Sequence, residues 1–134
     1  MIKFFISILL IPSLSWGENW QYSGELIFKN EKIVTFYDKD SVIISSDNPD
    51  EVFFIEKSLF INKQTFGDMF TYNNERYQIS INCSENTYTT FSNGIMEFWM
   101  DDNLVYRSDD FALPNTRKIK QGNYMAFLYR RVCN

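Results

Sequence analysis

Between residue 20 and residue 61, apolar and aromatic side chains recur in short runs that are separated by residues that favour turns. The runs cover residues 20–28, 33–37, 41–45 and 52–61, with Asp, Asn and Pro between them. Runs of β-branched and aromatic residues bounded in this way predict β-strands. Gly24, inside the first run, predicts a β-bulge.

Alternation of apolar and polar positions is clearest from residue 77 to residue 83. Tyr77, Ile79, Ile81 and Cys83 share one face of the predicted strand, and polar residues occupy the other. This pattern predicts a half-buried strand whose cysteine points inward. The more polar stretch before it, residues 62–74, predicts a long connection.

Short turns separate the strands that follow. Asn93-Gly94 predicts a hairpin between strands at residues 87–91 and 95–100. Asp101-Asp102-Asn103 predicts the next turn, after which residues 104–107 close the meander. Strands that follow one another through short turns favour a single twisted antiparallel sheet.

The hydrophobic period changes after Gly122. Two rows with a spacing of four residues form one apolar stripe: Tyr124, Leu128 and Val132, and beside them Met125, Tyr129 and Cys133. This spacing predicts a C-terminal amphipathic α-helix of about ten residues, with Asn123 as its N-cap.

The first 17 residues differ in character from the rest. Lys3 precedes an apolar segment, residues 4–14, and the small residues Ser15 and Gly17 occupy the −3 and −1 positions of a cleavage site. This order is typical of a secretory signal peptide, whereas a membrane anchor needs about 20 apolar residues. We therefore predict a signal peptide at residues 1–17, a single domain at residues 18–134, no lipid anchor and no stable membrane insertion after cleavage.

The chain has two cysteines, Cys83 and Cys133. In an exported protein such a pair predicts a disulfide, and closing a loop of this length stabilises the fold by about 4 kcal/mol. A redox or nucleophilic cysteine would need a CxxC partner or a histidine, and the chain has neither. The bond would hold the helix on the sheet face that carries Tyr77, Ile79 and Ile81.

The chain contains no histidine. Its absence removes the commonest general base, the His-dependent nucleophiles and every His-containing metal site. Asp38, Asp40, Asp47 and Asp50 lie in predicted turns, but they lack the spacing and the glycine of a calcium loop. We therefore expect no enzyme activity, no cofactor and no metal site.

Basic residues concentrate near the C-terminus, in a stretch without acids, although the net charge of the whole chain is −4. The candidate partner-binding residues are Arg117, Lys118, Lys120, Arg130 and Arg131. Two interpretations stay open: a basic helix seated on an acidic sheet, or a basic patch that meets an acidic partner. The negative net charge and the predicted export argue against nucleic acid as a partner.

Aromatic residues make up 18% of the chain. The members of Phe53-Phe54 and of Phe98-Trp99 point to opposite faces of a strand, so one of each pair lies outside a one-sided core. Exposed aromatic area often marks an interaction site. We expect a protein–protein surface on the sheet, and a homodimer through a sheet edge is one version of it.

Scattered positions also match a known family: Trp20, the segment Phe36-Tyr37-Asp38-Lys39-Asp40-Ser41-Val42, Asn82-Cys83, and the tail from Pro114 to Val132-Cys133. In these positions the chain resembles the surface-adhesin protein E family of small exported bacterial domains. The resemblance implies an α+β fold: a single twisted antiparallel β-sheet of about six strands, with a C-terminal α-helix packed on one face and tethered by a disulfide. The residue patterns predict the same layout. Two features depart from the family: the lipid-anchored start is missing, and residues 117–121 lengthen the tail.

The named member of that family is implicated in adhesion to host extracellular-matrix and serum proteins, so the resemblance implies a protein ligand. We expect an exported, non-enzymatic protein-binding domain, periplasmic or secreted. The alternative is a periplasmic inhibitor or immunity protein that blocks a wall-degrading or toxic enzyme, because small size, acidity and a disulfide suit that class.

Overall fold

The structure, a computed structural model, describes residues 18–133. The predicted signal peptide at residues 1–17 lies outside the described residues. Within them, nine strands form one antiparallel sheet, and an α-helix follows. The elements are β1 (Trp20–Phe28), β2 (Glu31–Asp38), β3 (Ile43–Ile44), β4 (Glu51–Phe66), β5 (Phe70–Asn82), β6 (Thr87–Thr90), β7 (Met96–Met100), β8 (Asn103–Ser108), β9 (Asn115–Lys118) and α1 (Tyr124–Val132).

The predicted class of fold is confirmed, but the number of strands is not: the sheet of residues 18–133 has nine strands instead of about six. Part of the difference comes from interrupted strands. β2 and β3 both pair with β4, and a short 3₁₀ helix, Lys39–Ser41, separates them. In addition, β9 pairs with β6 and adds an edge strand that its polar sequence does not indicate.

Two predictions from the sequence are wrong around the central hairpin, which β4 and β5 form. Residues 62–74 are not a long connection, because β4 runs to Phe66 and β5 starts at Phe70, with Gly67 at φ +54° in the turn. Asn93-Gly94 does not connect the two strands of a hairpin either. β6 and β7 do not pair with each other: they lie end to end along the same neighbour, β5, and the turn separates them. Backbone pairing to a long neighbour decides both cases, and polar side chains on a strand do not prevent it.

The helix packs on one face of the sheet, which is called the helix face from here on. Phe54, Ile79 and Ile81 from β4 and β5 form one core with Met125 and Leu128 from α1. Cys83 and Cys133 form the predicted disulfide, with Cα atoms 5.7 Å apart. The predicted N-cap is also confirmed, since the side chain of Asn123 accepts a hydrogen bond from the backbone N–H of Ala126 at 3.1 Å.

Gly24 explains how closely the helix start approaches β1. The sheet register shifts between Tyr22 and Gly24, which confirms the predicted bulge. A Cβ atom at this glycine would lie 2.8 Å from the Cβ atom of Tyr124. Only a residue without a side chain therefore allows Tyr124 to sit at this depth.

Candidate functional site

The face of the sheet opposite the helix, the outer face, carries a row of side chains contributed by six strands. The pairing register places these residues directly opposite one another: Tyr22, Phe36, Lys57, Arg76, Glu97 and Arg107. Side chains opposite each other on one face are close enough to interact. The row is therefore a product of register, since its members are distant in sequence.

Around the middle of this row, cations alternate with aromatic rings, including the neighbouring rings of Trp20 and Trp99. The Lys57 ammonium lies 5.3 Å from the ring centre of Phe36 and 4.5 Å from that of Trp20. The Arg76 guanidinium lies 5.2 Å from the Trp20 ring centre and 3.8 Å from that of Trp99. These distances are those of cation–π contacts. We call the five residues the cation–aromatic ladder.

Arg76 is the centre of the ladder, and its side chain is only 4% exposed. Nη1 donates to Glu18 Oε2 at 3.0 Å, and Nε donates to Asn74 Oδ1 at 3.0 Å. Burial lowers the pKa of the guanidinium, and the carboxylates of Glu18 and Asp102 oppose that change. Arginine stays charged in proteins, so this site holds a buried cation between two indole rings.

The ladder has an electrostatic effect on its second cation. Burial lowers the pKa of Lys57, and the positive charge of Arg76 lowers it further. Asp102 and Glu18 partly offset both effects. The two cations lie directly opposite one another in β4 and β5, and the ring of Trp20 contacts both of them.

A cleft of about 780 Å³ opens beside the ladder on the outer face, and we call it the outer-face cleft. Its apolar walls are formed by Trp20, Ile43, Ile55, Ile95, Trp99 and Leu104. Its charged lining consists of Glu18, Asp38, Asp40, Arg76, Glu97 and Arg107. Apolar walls with a few convergent polar groups are typical of binding sites.

Glu97 connects the ladder to the rim of the cleft. Its Oε1 accepts a hydrogen bond from the indole N–H of Trp99 at 3.1 Å, and its Oε2 accepts one from Arg107 at 3.2 Å. A hydrogen bond to Asp109 at 2.8 Å and the nearby carboxylates raise the pKa of Arg107. Because the Arg107 side chain is 48% exposed, this rim pair faces solvent and can meet a partner.

A second unusual group, Glu56, lies on the helix face and is fully buried. The Tyr77 hydroxyl donates to Oε1 at 2.8 Å, while Oε2 has no hydrogen-bond partner within residues 18–133. Burial raises the pKa of Glu56 to about 8, and the hydroxyl groups of Tyr77 and Tyr124 offset part of the increase. The carboxyl group is sealed beneath the helix, so it bears on stability and not on binding.

No protein-family model matches the chain, and no curated protein matches it significantly in sequence. The structure of Haemophilus influenzae protein E aligns with it at a TM-score of 0.61, over 90% of this chain and 86% of that chain, with 12% sequence identity. The chain has the protein E fold. At this identity the likeness shows the fold alone, so the resemblance predicted from the sequence is confirmed for the architecture.

Within this protein E fold, none of the five predicted partner-binding residues lines the outer-face cleft. Arg117 and Lys118 lie on the edge strand β9, and Lys120 follows it. Arg130 and Arg131 lie in the last turn of α1, where the guanidinium of Arg131 is 4.7 Å from the ring centre of Phe127. All five side chains are exposed, and their role in binding stays a prediction.

Residues 18–133 contain neither a cluster of metal ligands nor a membrane-spanning helix. No three Cys, Asp or Glu side chains in this part of the chain are grouped so that they could hold a metal ion. No helix among the same residues is long and apolar enough to cross a membrane.

The cation–aromatic ladder was not predicted from the sequence. One signal was available for Lys57, which lies in the otherwise apolar run at residues 52–61, whereas Arg76 follows the polar residues Asn74 and Glu75. A charge in such a strand normally faces solvent, and nothing in the sequence indicates that Trp20 and Trp99 lie beside it.

Proposed function

We propose that this protein is an exported, non-enzymatic domain that binds a protein ligand of the host or of the cell envelope through the outer-face cleft. The observation that carries the proposal is the pair of indole rings around Arg76, beside solvent-exposed Ile43 and Leu104. Tryptophan is enriched among the residues that contribute most to protein–protein affinity, and exposed apolar walls supply the area around such residues.

The location of the buried carboxyl groups supports a binding role over catalysis. The carboxyl groups whose pKa values burial raises most, to about 8 for Glu56 and about 7 for Glu75, do not line the cleft. Perturbed pKa values in a cleft are the usual mark of a catalytic site. The chain also lacks histidine, the commonest catalytic base.

Export is supported by two features. The apolar segment at residues 4–14 has the character of a signal peptide, and the Cys83–Cys133 bond is of the kind that persists in oxidising compartments. Both features support the proposed location in the periplasm or outside the cell.

The test is capture on the immobilised protein, with envelope extract and purified host matrix proteins offered in parallel. The variant Ile43→Lys/Leu104→Lys puts two positive charges into the cleft walls, and Ile27→Lys/Ile61→Lys puts the same charges at two other exposed apolar positions. Because each buried charge at an interface opposes binding by more than about 1 kcal/mol, the cleft variant should lose at least roughly tenfold in affinity.

Equal affinity of the two variants for the captured protein would contradict a role for the cleft. If the captured protein is a wall-degrading or toxic enzyme whose activity is blocked, the inhibitor alternative replaces adhesion as the function.

A further inference from the structure

Both guanidinium groups of the outer-face cleft are already paired within the protein. The carboxylate partners are Glu18 and Asp102 for Arg76, and Glu97 and Asp109 for Arg107. An anionic ligand would have to displace these carboxylates before it could use either arginine. The cleft therefore disfavours binding of an anionic ligand.

Two carboxylates of the cleft have no such partner. Within residues 18–133, neither Asp38 nor Asp40 forms an ion pair. Asp38 Oδ1 accepts the backbone N–H groups of Asn19 and Asp40, each at 3.0 Å, which orients the carboxylate without neutralising it. The cleft thus combines apolar walls with fixed negative charge that is not compensated.

The protein already shows how this face holds a cation. Arg76 is stacked between two indole rings and paired with a carboxylate, and Lys57 lies over the rings of Trp20 and Phe36. Asp38 lies directly opposite Trp20 in the pairing of β1 with β2, so the cleft sets a carboxylate beside an indole ring here as well, and no ion pair of the described residues includes this carboxylate.

We infer that the cleft accepts an arginine or lysine side chain from a basic segment of the partner protein. Its methylene stem lies along Ile43 and Ile55, and its charged head meets Asp38 and Asp40. Arginine is the better fit, because a planar guanidinium can stack on an indole ring and bind a carboxylate through two N–H groups. This inference depends on the proposed function, since it assumes that the cleft is the binding surface.

The experiment is a titration followed by tryptophan fluorescence, because Trp20 and Trp99 both line the cleft. The probes are the acetylated, amidated peptide Gly-Arg-Gly-Arg-Gly, the same peptide with citrulline for arginine, and the same peptide with glutamate. Citrulline keeps the shape of arginine without its charge. We expect the arginine peptide to bind roughly tenfold more tightly than the citrulline peptide at low salt, and the glutamate peptide not to bind.

Matched variants locate the effect. Asp38→Asn/Asp40→Asn should weaken binding of the arginine peptide about fivefold, since two charge contacts, one half-buried and one exposed, are lost. Asp38→Asn keeps the oxygen that accepts the backbone hydrogen bonds. Asp47→Asn/Asp50→Asn removes two charges from the next turn, outside the cleft, and should leave the affinity unchanged.

Equal binding of the arginine and citrulline peptides, or equal effects of the two aspartate variants, would overturn the inference. The outcome is separable from that of the proposed function. A captured protein that is sensitive to Ile43→Lys/Leu104→Lys but indifferent to Asp38→Asn/Asp40→Asn and to salt would keep the binding function and refute the basic ligand. Insensitivity to both variants would refute both.

Discussion

The guanidinium of Arg76 lies 3.8 Å from the centre of the Trp99 indole ring, and both side chains belong to the outer face of the sheet. The contact joins β5 to β7, and Trp20 and Glu18 on the other side of Arg76 join both strands to the start of β1. A single buried cation thus links three strands and forms one wall of the cleft.

Replacing this cation should destabilise the fold. Arg76→Lys keeps the charge but loses the hydrogen bond from Nε to Asn74 and the planar stack on Trp99. Because a buried charge would be left poorly paired, we expect the free energy of unfolding to fall by about 3 kcal/mol in chemical denaturation. The exposed Arg107→Lys is the control and should change it by less than about 1 kcal/mol. Similar losses in both variants would contradict the structural role of the ladder.

The stability of the protein should depend on pH through Glu56. Its pKa is about 8 in the folded protein against an ordinary 4.5, so between these values the unfolded chain releases a proton that the folded protein retains. The free energy of unfolding should therefore decrease as pH rises through this window, by about 1.4 kcal/mol per pH unit. Glu75, with its pKa raised by burial to about 7, adds to the same trend.

Glu56→Gln should flatten this dependence, because the amide cannot ionise while its oxygen can still accept from Tyr77. Denaturation midpoints measured from pH 5 to pH 8 provide the comparison, with the exposed Glu85→Gln as the control. If stability changes with pH in the same way in wild type and in Glu56→Gln, the ionisation of Glu56 does not destabilise the fold and the prediction is wrong.

The disulfide should leave no free thiol in the protein and should provide much of its stability. Labelling of the unfolded, unreduced protein with a thiol reagent should give no adducts, because Cys83 is bonded to Cys133. Cys83→Ser/Cys133→Ser should lower the free energy of unfolding by about 4 kcal/mol, since the bond closes a long loop in the unfolded chain. Two adducts per chain would refute the bond in the purified protein.

The helix N-cap offers a local test. Asn123→Ala removes the acceptor for the backbone N–H of Ala126 and should reduce the free energy of unfolding by about 1 kcal/mol. Gln121→Ala, at an exposed position two residues earlier, should change it by less than about 0.5 kcal/mol. A cap variant as stable as the control would mean that packing alone fixes the helix start.

The basic tail is tested by reversing its charge. Lys118→Glu/Lys120→Glu should weaken binding of the partner severalfold if the tail forms a second contact surface. The measurement is the affinity of the captured protein at low and at moderate salt. Unchanged affinity would mean that Lys118 and Lys120 do not contact the partner. Their charges would then serve only to oppose the pairing of the edge strand β9 with another sheet.

Most of what the sequence predicted correctly is local. The spacing of Tyr124, Leu128 and Val132 is enough for an amphipathic helix, and Asn123 is a strong N-cap by its own chemistry. The wrong predictions concern segments whose secondary structure depends on pairing with a strand that is distant in sequence. Residues 62–66 and 70–74 lie in strands because β4 and β5 pair on both sides of a register shift between Leu59 and Gln64. Asn93-Gly94 separates β6 from β7 without a hairpin because both strands pair with β5.

The helix, the alternation of the strands and the cysteine pair follow from the sequence alone, because each depends on neighbours along the chain or on a count of residues. The meeting of four side chains on one face follows from the tertiary structure: Trp20, Lys57, Arg76 and Trp99. Their meeting depends on the register of five strands, and a slip of one residue in any of them would turn its side chains to the other face. Register is set by the bulge at Gly24, by the core under the helix and by backbone pairing across the sheet, so the outer-face cleft exists only once the whole sheet has formed.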